Sequence, residues 1–232
     1  MALDNPILNL PFEQPDRHFV IGPNGPTGEV RDGRRPSESF IPVAAVRKGK
    51  KGTDDSKQLT FDLDATRERR ERNSLINDLR REMERWRRGG HYNGVTPISR
   101  KLLQHWADPS RENRVLFCQR EAAETAIFLT EVAGRHGFTD WRQRLEPENE
   151  IHNNGLRRVA LKMATGSGKT VVMAMLIAWQ TLNRVQFPRD SRFTNRFLVV
   201  TPGITIRDRL RVLRPEDPDN YYESARSGPV RP

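Results

Sequence analysis

Hydrophobic positions along the chain change spacing twice, and each change marks a different kind of structure. From residue 1 to about 60 the apolar runs are brief: His18-Phe-Val-Ile21 and Phe40-Ile-Pro-Val-Ala-Ala-Val46. They are broken by Asn5-Pro6, Gly22-Pro-Asn-Gly-Pro26, Asp32-Gly33 and Arg35-Pro36, dipeptides that mark turns. The pattern predicts an extended arm with two short strands. Lys48-Gly-Lys-Lys-Gly52 follows as a flexible basic linker, because like charges repel and glycine adds freedom. From about Asp64 to Arg88 the spacing becomes helical, with Leu75, Ile76, Leu79, Met83 and Trp86 in one stripe. Gly89-Gly90 ends that helix. Thr96-Pro97 starts another, with Thr as the cap and Pro at the first helical position; Leu102, Leu103 and Trp106 form its apolar face. A third helix is predicted from about Cys118 to Ala133, burying Ala122, Ala126, Ile127 and Leu129, with Gly134 as its carboxyl cap. Residues 138–155 are polar and read as a loop.

The pattern changes again near residue 158. Arg158-Val-Ala-Leu-Lys-Met163 reads as a strand, and Lys169 to about Asn183 as a helix buried through Val171, Val172, Met175, Leu176 and Trp179. Arg196-Phe-Leu-Val-Val200 is a second strand, and a further helix begins near Thr205. Two strand-then-helix units in succession predict an α/β fold with a parallel sheet and right-handed crossovers. Only two such strands can be found, and a two-stranded sheet is rarely stable without further pairing.

Composition adds a partner and removes several chemistries. The 232 residues are 35% hydrophobic and 30% charged, with a formal net charge of +10. A globular part joined to long polar stretches fits these values. The positive balance favours a polyanion such as nucleic acid, with an anionic membrane surface as the rival. Much of the charge lies on the 64–88 helix, in Arg67, Arg69, Arg70, Arg72, Arg80, Arg81, Arg85, Arg87 and Arg88. These either form i,i+4 ion pairs on a solvated face or contact a phosphate backbone. Cys118 is the only cysteine, so no intrachain disulfide is possible. The histidines are scattered without metal-ligand spacing. The amino terminus lacks a signal-peptide pattern, and the apolar run from Val171 to Trp179 is far too short to span a bilayer. A cytoplasmic protein is expected.

The chemistry is carried by Ala164-Thr-Gly-Ser-Gly-Lys-Thr170, which lies between the first predicted strand and its helix. Holding a phosphate takes several backbone N–H groups aimed at one point. Gly166 and Gly168 permit this by removing Cβ, and the positive end of the following helix adds to the attraction. Lys169 would reach the β- and γ-phosphates of ATP, and the Thr170 hydroxyl would ligate Mg2+. The general pattern places a glycine where this chain has Met163. Thr201, Pro202 and Gly203 fall at the carboxyl end of the second strand, where such folds bind ligands; alone, the triplet is equally an ordinary turn.

Three segments together, Phe117-Cys-Gln-Arg-Glu-Ala-Ala-Glu-Thr-Ala126, Met163 to Thr170, and Val199-Val-Thr-Pro-Gly-Ile-Thr-Ile-Arg-Asp208, resemble superfamily 2 helicases of the DEAD/DEAH-box-like kind. The nearest resemblance is to the helicase-like R (res) subunit of type III restriction enzymes, in which a methionine at position 163 is unremarkable. Asn5-Pro-Ile-Leu-Asn9 and Gly33-Arg-Arg-Pro-Ser37 also look like a subgroup of these proteins. The resemblance implies an incomplete P-loop NTPase (RecA-like) α/β domain over 111–232, preceded by the arm (1–60) and a basic helical region (61–110). It implies that Gln119 recognises adenine with Phe117 and Arg120 close by. Thr165, Gly166, Ser167, Gly168, Lys169 and Thr170 would hold ATP and Mg2+. Thr201, Pro202, Gly203 and Arg207 would touch the nucleic-acid backbone. Duplex DNA, and a methyltransferase or specificity subunit, are the implied partners of the complete enzyme, a hydrolase and endonuclease subunit of restriction-modification.

The family pattern continues with an Asp-Glu-x-His box that holds Mg2+ and positions water, and nothing like it follows residue 170 here. The expectation is therefore an amino-terminal fragment that binds nucleotide and DNA and hydrolyses ATP slowly or not at all, with no catalytic residue identifiable. A basic nucleic-acid-binding module with a vestigial loop is the alternative.

Overall fold

The structure, a computed structural model, describes residues 7–22, 25–41, 69–88 and 92–222. The basic linker at 48–52, the start of the predicted helix at 64–68, Gly89-Gly90 and the tail at 224–232 lie outside the described residues.

The arm is more regular than its turn-rich sequence suggests. Strands β1 (Arg17–Gly22) and β2 (Gly25–Asp32) pair antiparallel, with an irregularity between Phe19 and Ile21. The return is closed by Gly33, whose φ of +86° suits a residue without Cβ and whose N–H donates to the Asp16 carbonyl at 2.5 Å. Strand β3 (Glu38–Ile41) pairs antiparallel with β4 (Arg69–Arg72). Residues 69–72 were expected to be helical. Pairing with β3 takes them, and helix α1 (Ser74–Arg88) starts only after Asn73.

The core is helical. Helices α1, α2 (Pro97–Ala107), α3 (Phe117–Ile127) and α5 (Lys169–Gln186) bring together Met83, Trp86, Leu102, Leu103, Ile127, Phe128 and Trp179. Trp86 is clasped by Tyr92 and Phe128, with ring centroids at 5.0 and 5.4 Å. Thr96 caps α2, accepting from the Ser99 N–H, as its sequence position requires. The third predicted helix does not run uniformly to Ala133. It turns π-helical over Phe128–Val132, a widening of the kind that redirects side chains. Residues 138–155 are not simply a loop, because Trp141–His152 forms helix α4, with Pro147 inside it. Only Trp141 and Asn149 of α4 are buried, so there was no apolar stripe to reveal it.

The predicted parallel sheet is not found among the described residues. Residues 158–163 and 196–200 carry no ladder, and strand pairing is confined to the two antiparallel pairs before residue 73. Leu198 is 90% and Val200 81% exposed. A β-prone run becomes a strand only when a partner offers hydrogen bonds and a face to cover it, and neither run offers these to the other. What the structure shows is a mixed helix-and-strand chain with small sheets. No described helix is long and apolar enough to cross a membrane.

Candidate functional site

The turn at 164–168 is built by its glycines. Gly166 and Gly168 have φ of +78° and +75°, a region that side-chain-bearing residues enter only with strain. Gly168 is the residue before α5, and no side chain caps that helix. Its first N–H groups are thus left as donors at the positive end of the helix. A Cβ at Gly166 would meet nothing within 4 Å, so the loop's outer side is open. The Lys169 ammonium folds back to donate to the Ala164 carbonyl at 2.8 Å, beside the Ser167 hydroxyl, which donates to the same oxygen at 2.7 Å. Uncapped amides, two left-handed glycines and an exposed ammonium on one short turn suit a phosphate. Thr170, half-buried in the first turn of α5, is the hydroxyl available there for a phosphate-bound Mg2+.

Gln119 joins this turn to the rest of the protein. Its side-chain Nε2 donates to the Ser167 carbonyl at 3.0 Å, and its Oε1 accepts from the Leu116 N–H at 3.0 Å. The side chain passes so close to Gly168 that a Cβ there would collide with the amide. Gln119 also lines a mostly apolar cavity of about 490 Å³, with Trp106, Leu116, Val171, Ala174 and Tyr222. Phosphate loop and cavity thus adjoin through one side chain.

Phe117 and Arg120, expected near adenine, face elsewhere. The Phe117 ring is buried, with the guanidinium carbons of Arg34, Arg87 and Arg120 at 5.6, 5.3 and 5.5 Å from its centroid. Two acids of α3 oppose these cations. Arg34 forks onto both oxygens of Glu121 at 2.5 and 2.6 Å, and Arg87 donates to Glu124 at 2.6 Å and to Glu121 at 3.3 Å. Tyr92 donates to the other oxygen of Glu124 at 2.9 Å. Burial pushes the Glu121 carboxyl up, but the hydrogen bonds and charge of Arg34, with the charges of Arg87 and Arg80, hold it below its ordinary range. Burial and the Glu124 carboxylate push the Tyr92 hydroxyl well above its ordinary value. These partners come from positions as far apart as Arg34 and Glu121, and no local sequence signal pairs them.

A second buried polar group fixes α5. Glu131, placed by the π-helical turn, accepts from the Ser99 hydroxyl at 2.5 Å, from the Trp179 indole at 2.9 Å and from the Thr96 N–H at 2.7 Å. Asn183 donates to the Ser99 hydroxyl at 3.0 Å and accepts from Thr96 at 2.5 Å. Satisfied networks of this kind fix one packing arrangement, and here it orients the helix whose amino end carries the loop.

Thr201, Pro202, Gly203 and Arg207 lie apart from this assembly. The Thr201 hydroxyl bonds only locally, to the Gly203 carbonyl at 3.2 Å, and helix α6 (Ile204–Arg209) buries no residue. No hydrogen bond joins these residues to the loop among the described residues.

An uncapped helix, a turn made by left-handed glycines, and a lysine and a threonine at the helix start form an arrangement suited to an anion. Residues 117–227 match the family described as type III restriction enzyme, res subunit. The match, over just under half of the chain, supports a likeness to helicase-like, ATP-binding proteins of that family. No curated protein and no solved structure matches the chain.

Proposed function

We propose that this chain binds ATP, with its phosphates on residues 164–170 and its adenine in the apolar cavity beside Gln119. The observation that carries the reading is Gln119 itself, which bonds the loop at Ser167 and also lines the cavity. A cavity of about 490 Å³ is within the range of small-molecule sites. Thr165, Gly166, Ser167, Gly168, Lys169 and Thr170 hold the phosphates, and Thr170 adds a ligand to Mg2+. Gln119 is the adenine-recognising residue, and it must exchange one of its present bonds to read the base. Phe117 and Arg120 support it from behind rather than touching the base, since both face the arginine–glutamate cluster.

In the complete enzyme, ATP use drives movement on duplex DNA. Thr201, Pro202, Gly203 and Arg207 contact the nucleic-acid backbone, a role suited to an exposed turn before a short basic helix. The two uncovered runs at 158–163 and 196–200 belong to a parallel RecA-like sheet that further strands complete. A methyltransferase or specificity subunit is the expected partner of that assembly. On this reading the chain itself contributes nucleotide and DNA binding, and hydrolysis by it alone is slow or absent.

The test is equilibrium titration with a fluorescent ATP analogue. Lys169→Ala abolishes binding and Gln119→Ala weakens it for ATP more than for pyrophosphate, which lacks the base. Unchanged affinity in Lys169→Ala would sink the reading. It would favour the second one, a basic nucleic-acid-binding module whose loop is vestigial and whose Lys169 serves only to brace Ala164.

A further inference from the structure

A second cleft, of about 870 Å³, lies between the arm and α1, remote in sequence from the loop. Its wall is unusual in charge: Arg34, Arg35, Arg80, Arg81, Arg87 and Arg88 face three carboxylates. The cleft is held open by specific bonds rather than by chance proximity. Asn77 of α1 accepts from the Ser37 N–H at 2.7 Å and donates to the Ser37 carbonyl at 3.0 Å. Asn73 donates to the Ser37 hydroxyl at 3.0 Å. The far wall is fixed by the Gly33 turn and by the His18 ring, 2.7 Å from the Gly33 carbonyl.

Most of these arginines are already matched. Arg34 and Arg87 are engaged by Glu121 and Glu124, Arg81 by Asp78, and Arg88 by Glu84. Asp78 is shared further with Arg144. Arg80 differs, because it makes none of the ion pairs found among the described residues. It sits half-buried, and burial and the neighbouring Arg34 charge act together to lower its pKa, against the opposing pull of Glu121. A guanidinium held partly out of water beside a second guanidinium is in a poor environment unless an anion joins it. Its planar fork matches phosphate oxygens.

We propose that this cleft is a seat for the phosphodiester backbone of nucleic acid, with Arg80 as the anchoring contact and Arg81 and Arg88 at its rim. A backbone fits better than a lone ion. The rim arginines are exposed, at 63% and 79% of their side-chain surface, and lie along one helix, as successive phosphates require. The site is separate from the nucleotide loop and does not depend on ATP. It accounts for the arginine excess of α1 by a ligand rather than by solvation alone.

The test uses the full 232-residue chain without ATP, measuring anisotropy of labelled duplex DNA across a salt series. Arg80→Gln is expected to weaken binding by about tenfold at low salt. It lowers the slope of log K against log salt by about 1, for any sequence. Arg80→Lys retains the slope but loses part of the affinity, and Arg135→Gln, outside the cleft, changes neither. Binding of a fluorescent ATP analogue stays constant in all three, which separates this site from the loop. If Arg80→Gln does not fold, Arg81→Glu at the exposed rim reports on the same cleft and should lower both affinity and slope. Unchanged affinity and slope in a folded Arg80→Gln, or in Arg81→Glu, overturns the proposal. Loss of pyrophosphate-induced thermal stabilisation with unchanged DNA binding reassigns the cleft to a small free anion and also overturns it.

Discussion

The Gln119 side-chain amide donates to the Ser167 carbonyl at 3.0 Å and lies where a Cβ on Gly168 would have to be. The two positions are coupled: a Cβ at 168 would strain the turn and displace the Gln119 amide from its bond to Ser167. Gly168→Ala therefore suffers twice, from the collision and from a φ of +75°. A loss of about 1–3 kcal/mol in stability is expected, with nucleotide affinity falling at least tenfold. Chemical denaturation and a nucleotide titration measure the two. An unchanged affinity would show that the Gln119–loop contact is incidental.

Lys169→Ala separates binding from folding. The ammonium is exposed and, among the described residues, makes one bond, to the Ala164 carbonyl. Its removal should move the melting temperature by no more than a degree or two, since surface changes of this kind usually stay within about 0.5 kcal/mol. Binding of ATP is lost in the same sample. A large fall in melting temperature would mean that Lys169 is structural.

Glu131 is expected to be among the most sensitive positions in the chain. Glu131→Ala leaves the Ser99 hydroxyl, the Trp179 indole and the Thr96 N–H without their shared acceptor in a buried place. The cost should be about 3 kcal/mol or more, read by urea denaturation. Glu131→Gln keeps the shape and an acceptor oxygen and should lose less.

Acid should weaken the joint between arm and α3. The Glu121 carboxyl is held below its ordinary value of 4.5 in the folded chain. Its contribution is therefore complete above that value and declines as pH falls through it toward the folded pKa. Melting temperature measured from pH 7 to pH 3 should fall more steeply for the wild type than for Glu121→Gln. At pH 7 that variant should be less stable by about 3 kcal/mol, because Arg34 and Arg87 lose a buried partner. Parallel curves for the two proteins would exclude this role for Glu121.

The run Phe197–Val200 is expected to govern self-association. All four residues are exposed, and Leu198 and Val200 almost wholly. Apolar, β-prone segments in the open seek other edges. Leu198→Asp combined with Val200→Asp should reduce light scattering at high concentration while leaving the melting temperature unchanged. A lowered melting temperature would place the run in the core instead.

Local signals in the sequence were sufficient for much of this. Glycines at 166 and 168, followed by Lys169 and an apolar helix, specify a left-handed turn into an uncapped helix, because these features depend on few neighbouring residues. Thr96-Pro97 marked the start of α2 for the same reason: a cap is a short-range hydrogen bond. Helix α4 was not visible, since it buries only Trp141 and Asn149. Strand β4 was not visible either, because Arg69–Arg72 is helical or extended according to whether β3 lies beside it. The parallel sheet read from 158–163 and 196–200 rested on the propensity of each run alone, and pairing needs a partner that neither run is.

The sequence by itself determined the glycine turn before α5, the main helices and the basic character of α1, all of which follow from spacing within a few residues. Tertiary structure alone decided that Gln119 bridges loop and cavity, and that Phe117 faces arginines rather than the cavity. It also decided that Glu131 fastens α5, and that Arg80 stands in a cleft beside Arg34 without an ion pair of its own among the described residues. Each of these depends on groups distant in sequence meeting in a place from which water is partly excluded. Burial strengthens their interactions there and makes an unmatched charge costly.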